Sequence, residues 1–138
     1  MTPEQINLVQ RSLPAILAIR DRATARTGER LAVLDRAPGR LFAGADIGRQ
    51  GAILINAVIT AVQAFRLGGC ESAAAALSQY HLCYGVGTHH FRSAGAALVR
   101  ALEQELGASF TAELAHAWAA ACEWVGRVIR AASHPMAA

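Results

Sequence analysis

Residues 81–98 read HLCYGVGTHHFRSAGAAL. The histidine that opens this stretch ends an apolar helical pattern in which Ala75, Leu77, Tyr80, His81 and Tyr84 recur at helical spacings. Ser72 caps that helix after the Gly68-Gly69 break, and Gly85 ends it. Val86 to His90 reads as a loop. Ala94, Leu98, Ala101, Leu102 and Leu106 then form a long amphipathic helix closed by Gly107. Thr111 caps a final helix whose buried stripe uses Leu114, Trp118, Ala121, Val125, Val128 and Ile129, fraying before Pro135.

Upstream, Thr2 as N-cap, Pro3 in the first turn and Gln5 at capping-box spacing start a helix expected from about residue 3 to 19. Its stripe is Ile6, Val9, Leu13, Ile16 and Leu17. A separate second helix is expected over about 21 to 36, polar through Arg20, Asp21, Arg22, Thr24, Arg26, Thr27 and Gly28 until Leu31 and Leu34 restore an apolar face. Pro38 begins a short turn leading to Leu41 and Phe42, Ala43-Gly44-Ala45 makes a corner, and Asp46 caps a helix running to about Phe65. No internal repeat, linker or low-complexity segment interrupts the pattern.

The chain has 138 residues, 54% of them hydrophobic and 17% charged, enough for one well-formed core in a single domain over residues 1–138. Its mean hydropathy is positive, which excludes a disordered, self-repelling chain. The net charge of +3 comes from arginine alone, since lysine is absent. The N-terminal arginines alternate with Asp21, Glu29, Asp35 and Asp46, a solvated face rather than a nucleic-acid surface. From Gln50 to Phe91 the formal charges are Arg66 and Glu71, so helices there should be buried almost all round. The charge-free run Gln50 to Phe65 falls short of the roughly 20 apolar residues that span a bilayer, and no membrane span is expected. An acidic residue near the N-terminus and no apolar core directly after it argue against a signal peptide, so a cytoplasmic location is expected. Cys70, Cys83 and Cys122 form no CxxC pair and read as free thiols.

The order of these landmarks, with HxxYGVxxxHFxxxGxxL over His81 to Leu98, LGxxFTxE over Leu106 to Glu113, and Ala117-Trp118, resembles the bacterial single-domain globins of flavohaemoglobin type. The resemblance covers nearly the whole chain. It implies an all-α globin fold of six to eight helices around a haem pocket, haem b as cofactor, and binding of a diatomic gas: O2, and also NO or CO.

Carried over residue by residue, the resemblance makes His81 the proximal iron ligand. A neutral imidazole on an apolar helix suits that role, bonding iron through one nitrogen and giving the other N–H to a carbonyl one turn back, such as that of Leu77. Phe42 matches the phenylalanine stacked on the porphyrin, and Leu77, Val86 and Phe91 fall among the pocket positions. His90 matches a residue near the haem edge, with an exposed loop histidine as its alternative, shared by His89. Gln50 matches the distal position, where an amide N–H can donate to bound O2, although Arg49 or Gly51 could occupy that register. Leu54, one turn later, overhangs the iron or simply packs in the core.

The chain also departs from the family pattern. The Phe-Tyr pair expected on the second helix falls on Thr27 and Gly28, so a phenolic donor is missing and Gly28 leaves space beside the ligand. Phe91 replaces the tyrosine that supports the proximal histidine, and Ala131-Ala132-Ser133-His134 offers no supporting acid. A chain of this length leaves no room for flavin or nicotinamide domains, so turnover would need a separate reductase.

Three readings follow from the resemblance: a gas-binding haem globin, an NO dioxygenase served by a partner reductase, and a globin module that senses through haem or has lost it and acts through a protein partner. No catalytic residue is assigned. A metal module built on His81, Cys83, His89 and His90 lacks the paired-ligand spacing of structural zinc. No triad, phosphate loop or carboxylate pair supports a hydrolase, and Glu103 and Glu105 read as the solvated side of a helix.

Overall fold

The computed structural model describes residues 2–35, 47–77 and 88–133. Among the described residues the chain is helical, without strands. It comprises α1 (Pro3–Asp35), α2 (Ile47–Leu77), α3 (Thr88–Leu106), a 3-10 turn at Gly107–Ser109 and α4 (Ala112–Ser133). The all-α class is as the sequence predicts. The described helices number four where six to eight were expected, because two expected pairs run together and residues 36–46 and 78–87 lie outside the described ones.

α1 begins as its first residues dictate. The Gln5 amide donates to Thr2 Oγ1 at 3.1 Å while the Thr2 amide donates to Gln5 Oε1 at 3.0 Å, the reciprocal bonds of a capping box. The helix then continues to Asp35, so the expected end near residue 19 and separate helix over 21–36 are corrected to one element of 33 residues. The physical reason is that residues 18–27 contain neither glycine nor proline. Their polar side chains sit on the outside while Ile16, Ile19, Ala23 and Thr27 continue the buried stripe. Pro14 lies inside α1 on its exposed side, where water can compensate the backbone bond that proline cannot make. Leu17 falls off the stripe and is 44% exposed, since the stripe turns at Ile16.

α2 is the core helix. Leu54, Ile55, Ala57, Val58, Ile59, Ala61 and Val62 are all buried, as a charge-free run implies. Beyond Val62 the expectation of all-round burial fails: Leu67 is 89% exposed, and burial returns only at Ala73 and Leu77. The expected break at Gly68-Gly69 is present as a kink, where Gly69 has a φ of 74°, a conformation L side chains rarely adopt. Ala52–Leu77 is long and apolar enough, by length and composition, to cross a bilayer. In this fold its buried face packs on α1, α3 and α4.

α3 starts at Thr88, so His89 and His90 belong to its first turn and not to a loop, a correction of the expected Val86–His90 loop. α3 and α4 approach closely at Gly95, where a Cβ would come within 3.0 Å of Cys122 Cβ. This supplies a packing reason for the glycine of the quoted motif. Thr111 caps α4 as expected, its Oγ1 accepting the Leu114 amide at 3.2 Å. Trp118 stands fully buried in the core, its indole N–H donating to Ser12 Oγ at 3.0 Å, and Ser12 Oγ donates in turn to the Val9 carbonyl at 2.7 Å.

Glu105 is not on the solvated side of α3. Its side chain is 8% exposed and is gripped by two arginines of α1: Arg22 Nε lies 2.7 Å from Oε1, and Arg26 Nε meets Oε2. The hydrogen bond from Arg26 above all, with the charge of both guanidiniums, holds the Glu105 carboxyl below its ordinary value against the opposing effect of desolvation. Glu103, by contrast, is solvated as expected, its side chain 49% exposed.

Candidate functional site

The candidate pocket draws on both ends of α2. Gln50 lies in its first turn and Leu54 four residues on, so helical periodicity places both positions on one face of the helix. Leu54 is fully buried in the core. Leu77, the last residue of α2 beyond the Gly69 kink, is fully buried in the same apolar cluster, which also holds Val58, Leu98 and Leu102. Leu54 and Leu77 thus belong to one apolar core although about three-quarters of α2 separates them along the chain.

His90 and Phe91 lie in the first turn of α3, and the family motif continues along that helix through Gly95 to the buried Leu98. The side chains of Gln50, His90 and Phe91 lie outside the described ones. Phe42, His81 and Val86, with Cys83, Tyr84 and Gly85, lie outside the described residues altogether.

On α1, the pair Thr27 and Gly28 divides unequally. Thr27 is completely buried and its hydroxyl donates to the Ala23 carbonyl at 2.8 Å, while Gly28 is half-buried. A threonine bonded back to its own helix is a satisfied core residue. Its hydroxyl proton is committed to the backbone and is not free to serve a ligand.

The described candidates suit a porphyrin chemically. Leu54 and Leu77 are apolar and excluded from water, as the faces of a flat aromatic macrocycle require. Among the described residues no buried side-chain nitrogen or oxygen lacks a hydrogen-bond partner, so no stranded polar atom opposes an apolar group there. No group of three or more His, Cys, Asp and Glu side chains among the described residues is placed to hold a metal ion. Cys122 is buried, which pushes its thiol up to about 12 and leaves it a neutral, inert side chain.

Sequence reasoning missed two arrangements. Ser12 interrupts the apolar stripe between Val9 and Ile16, and a buried tryptophan elsewhere in the chain needs one acceptor; together those were the available signal. The Arg22–Arg26–Glu105 cluster had no local signal, since its members lie about 80 residues apart.

A family model for globins matches residues 38–129, two-thirds of the chain. The matched span includes the candidate positions from Phe42 through Phe91 and leaves Thr27 and Gly28 outside it. No curated protein and no solved structure matches the chain. With an all-helical core and a match of that extent, the chain belongs to the globin family.

Proposed function

We propose that this globin holds haem b through His81 and binds a diatomic gas reversibly, O2 first and NO or CO as well. The observation that carries the reading is the globin match over residues 38–129, a span that contains the histidine motif and the buried Leu54 and Leu77. When bound, the haem supplies an iron with a coordination position open to a gas.

The rest of the chemistry belongs to the side chains. His81 stands four residues after Leu77 in the sequence; its imidazole would take the iron on one nitrogen and give its second N–H to the Leu77 carbonyl, which would fix the ring's orientation. Phe42 and Val86 cover the porphyrin, and Leu54 and Leu77 exclude water from it. His90 and Phe91 border its edge, and Gly28 leaves room on the gas side. Gln50, one turn before Leu54, donates its amide N–H to the gas ligand. Because the Thr27 hydroxyl is already bonded to the Ala23 carbonyl, it adds no donor to that of Gln50, which would be worth roughly 0.5–1.5 kcal/mol net. Modest retention and fast release of O2 follow.

Within the family, we place the chain with the bacterial single-domain globins of flavohaemoglobin type, on the strength of Tyr84-Gly85-Val86 and His90-Phe91. Phe91 in place of a tyrosine beside the proximal histidine favours gas binding over O–O bond chemistry, and a cytoplasmic setting suits that role.

The test is a UV-visible titration of the purified chain with hemin, ferric and then reduced, with and without CO. A stoichiometric Soret band that shifts with CO is expected, and His81→Ala should abolish stoichiometric haem retention. No Soret band in the parent protein, or unchanged axial-histidine spectra in the variant, would defeat the reading. Stopped-flow mixing of the oxygenated protein with NO then separates simple binding from dioxygenation.

A further inference from the structure

We propose that the groove between the first turns of α1 and the stretch of α2 just before its kink binds a small, flat, apolar acid of the aryl carboxylate class. The groove holds about 430 Å3, within the range of small-molecule sites. It is lined by Pro3, Ile6, Asn7 and Gln10 of α1 and by Phe65 and Arg66 of α2. The four α1 positions recur at helical spacing and so share one face of that helix. On α2 the lining stops at Arg66, two residues before the Gly68-Gly69 kink, and among the described residues nothing beyond the kink joins it. The buried Ile6 and the half-buried Phe65, which also packs on the core, make the groove apolar at its centre.

Charge selects the occupant. Arg66 is the one charged side chain in the lining, and it makes no hydrogen bond or ion pair among the described residues. The Asn7 side chain is likewise unbonded there. Gln10 spends one amide N–H on the Val62 carbonyl at 3.5 Å, the outer limit of such a bond. A guanidinium and two amides together offer N–H donors to an anion, and a guanidinium can give a carboxylate two parallel bonds. Two further grooves among the described residues are mixed in sign: Arg100 and Glu123 line one, and Arg26 and Arg30 share the other with Glu29. A cationic ligand would be repelled by Arg66, and a wholly polar anion would leave Pro3, Ile6 and Phe65 unused. The rings of Pro3 and Phe65 suit a flat hydrocarbon body.

None of the lining residues belongs to the candidate haem pocket, so the test reads independently of haem binding. Equilibrium dialysis of the full chain against 2-naphthoate is expected to show saturable binding, with the matched cation 2-naphthylmethylammonium bound at least about tenfold more weakly. Arg66→Glu, at an exposed position where folding is undisturbed, should weaken naphthoate binding about tenfold or more with unchanged helical circular dichroism. Asn7→Asp, also exposed, should weaken it in the same direction, while Arg66→Lys should retain part of the affinity. Naphthoate binding that does not saturate, or that the cation matches, overturns the proposal. So does binding indifferent to Arg66→Glu, the signature of a probe lodged elsewhere, such as in the haem pocket.

Discussion

The hydrogen bond from Trp118 to Ser12 offers the sharpest test of how this core is held. The indole N–H is fully buried and has one acceptor, the Ser12 hydroxyl at 3.0 Å, which is itself spent on the Val9 carbonyl at 2.7 Å. Ser12→Ala removes the acceptor without making a large hole, so the indole N–H is left unsatisfied in a dry interior, at a cost of about 1–3 kcal/mol. Trp118→Phe removes the donor but also part of a large buried side chain, so its cost adds a cavity contribution and should fall in the upper part of the 2–5 kcal/mol range typical of large core truncations. If the bond matters as a pair, the double variant should cost less than the sum by about 1 kcal/mol, because Ser12→Ala strands nothing once the indole is gone. Urea unfolding followed by circular dichroism measures all three, with the midpoint moving and the slope constant. A Ser12→Ala variant within about 0.5 kcal/mol of the parent, or strict additivity, would refute the argument that this polar pair ties α1 to α4.

Other expectations follow from the same structure. The Glu105 carboxyl is held below its ordinary value of 4.5, so its contribution is fully present above that value and is lost as pH falls through the lower, folded-state value. Glu105→Gln should therefore lower the urea midpoint at neutral pH and close the gap to the parent in acid, and parallel pH profiles for the two proteins would rule this out. Gln50→Leu should speed O2 release by roughly threefold to tenfold, the equivalent of one net hydrogen bond, in a stopped-flow measurement; an unchanged off-rate removes Gln50 from the distal role. An aromatic disulfide reagent should modify the exposed Cys70 in the native protein and reach the buried Cys122 only after unfolding, as peptide mapping would reveal.

What could be read from the sequence was what is local. The capping box at Thr2 and Gln5 and the cap at Thr111 depend on side chains three residues from their targets, and both are present. The Gly68-Gly69 break was legible for the same reason. The end of the first helix was misplaced because polarity was taken for a boundary: Arg20, Asp21 and Arg22 are a helix's outer face, and nothing in residues 18–27 stops the helix. Two of the arginines on that face are what bury Glu105, a pairing across the fold that no spacing rule encodes. The candidate site was read as a motif, from the order of His81, Tyr84, Gly85, His90 and Gly95. What periodicity could not foresee was that Thr27, and not Gly28, takes the buried position, since that depends on the side of α1 that α2 and α3 cover.

α1 is joined to α4 by a buried hydrogen bond and to α3 by a two-arginine grip on one carboxylate. α2 brings the apolar burial of residues 54–62 to this core, and Gln10 donates to its Val62 carbonyl at 3.5 Å. Directional bonds fix register, whereas apolar contact is non-directional and tolerates small shifts of a helix over its neighbours. Register along α1 is thus set against both α3 and α4 by directional bonds, while the apolar run of α2 adds burial to the same core.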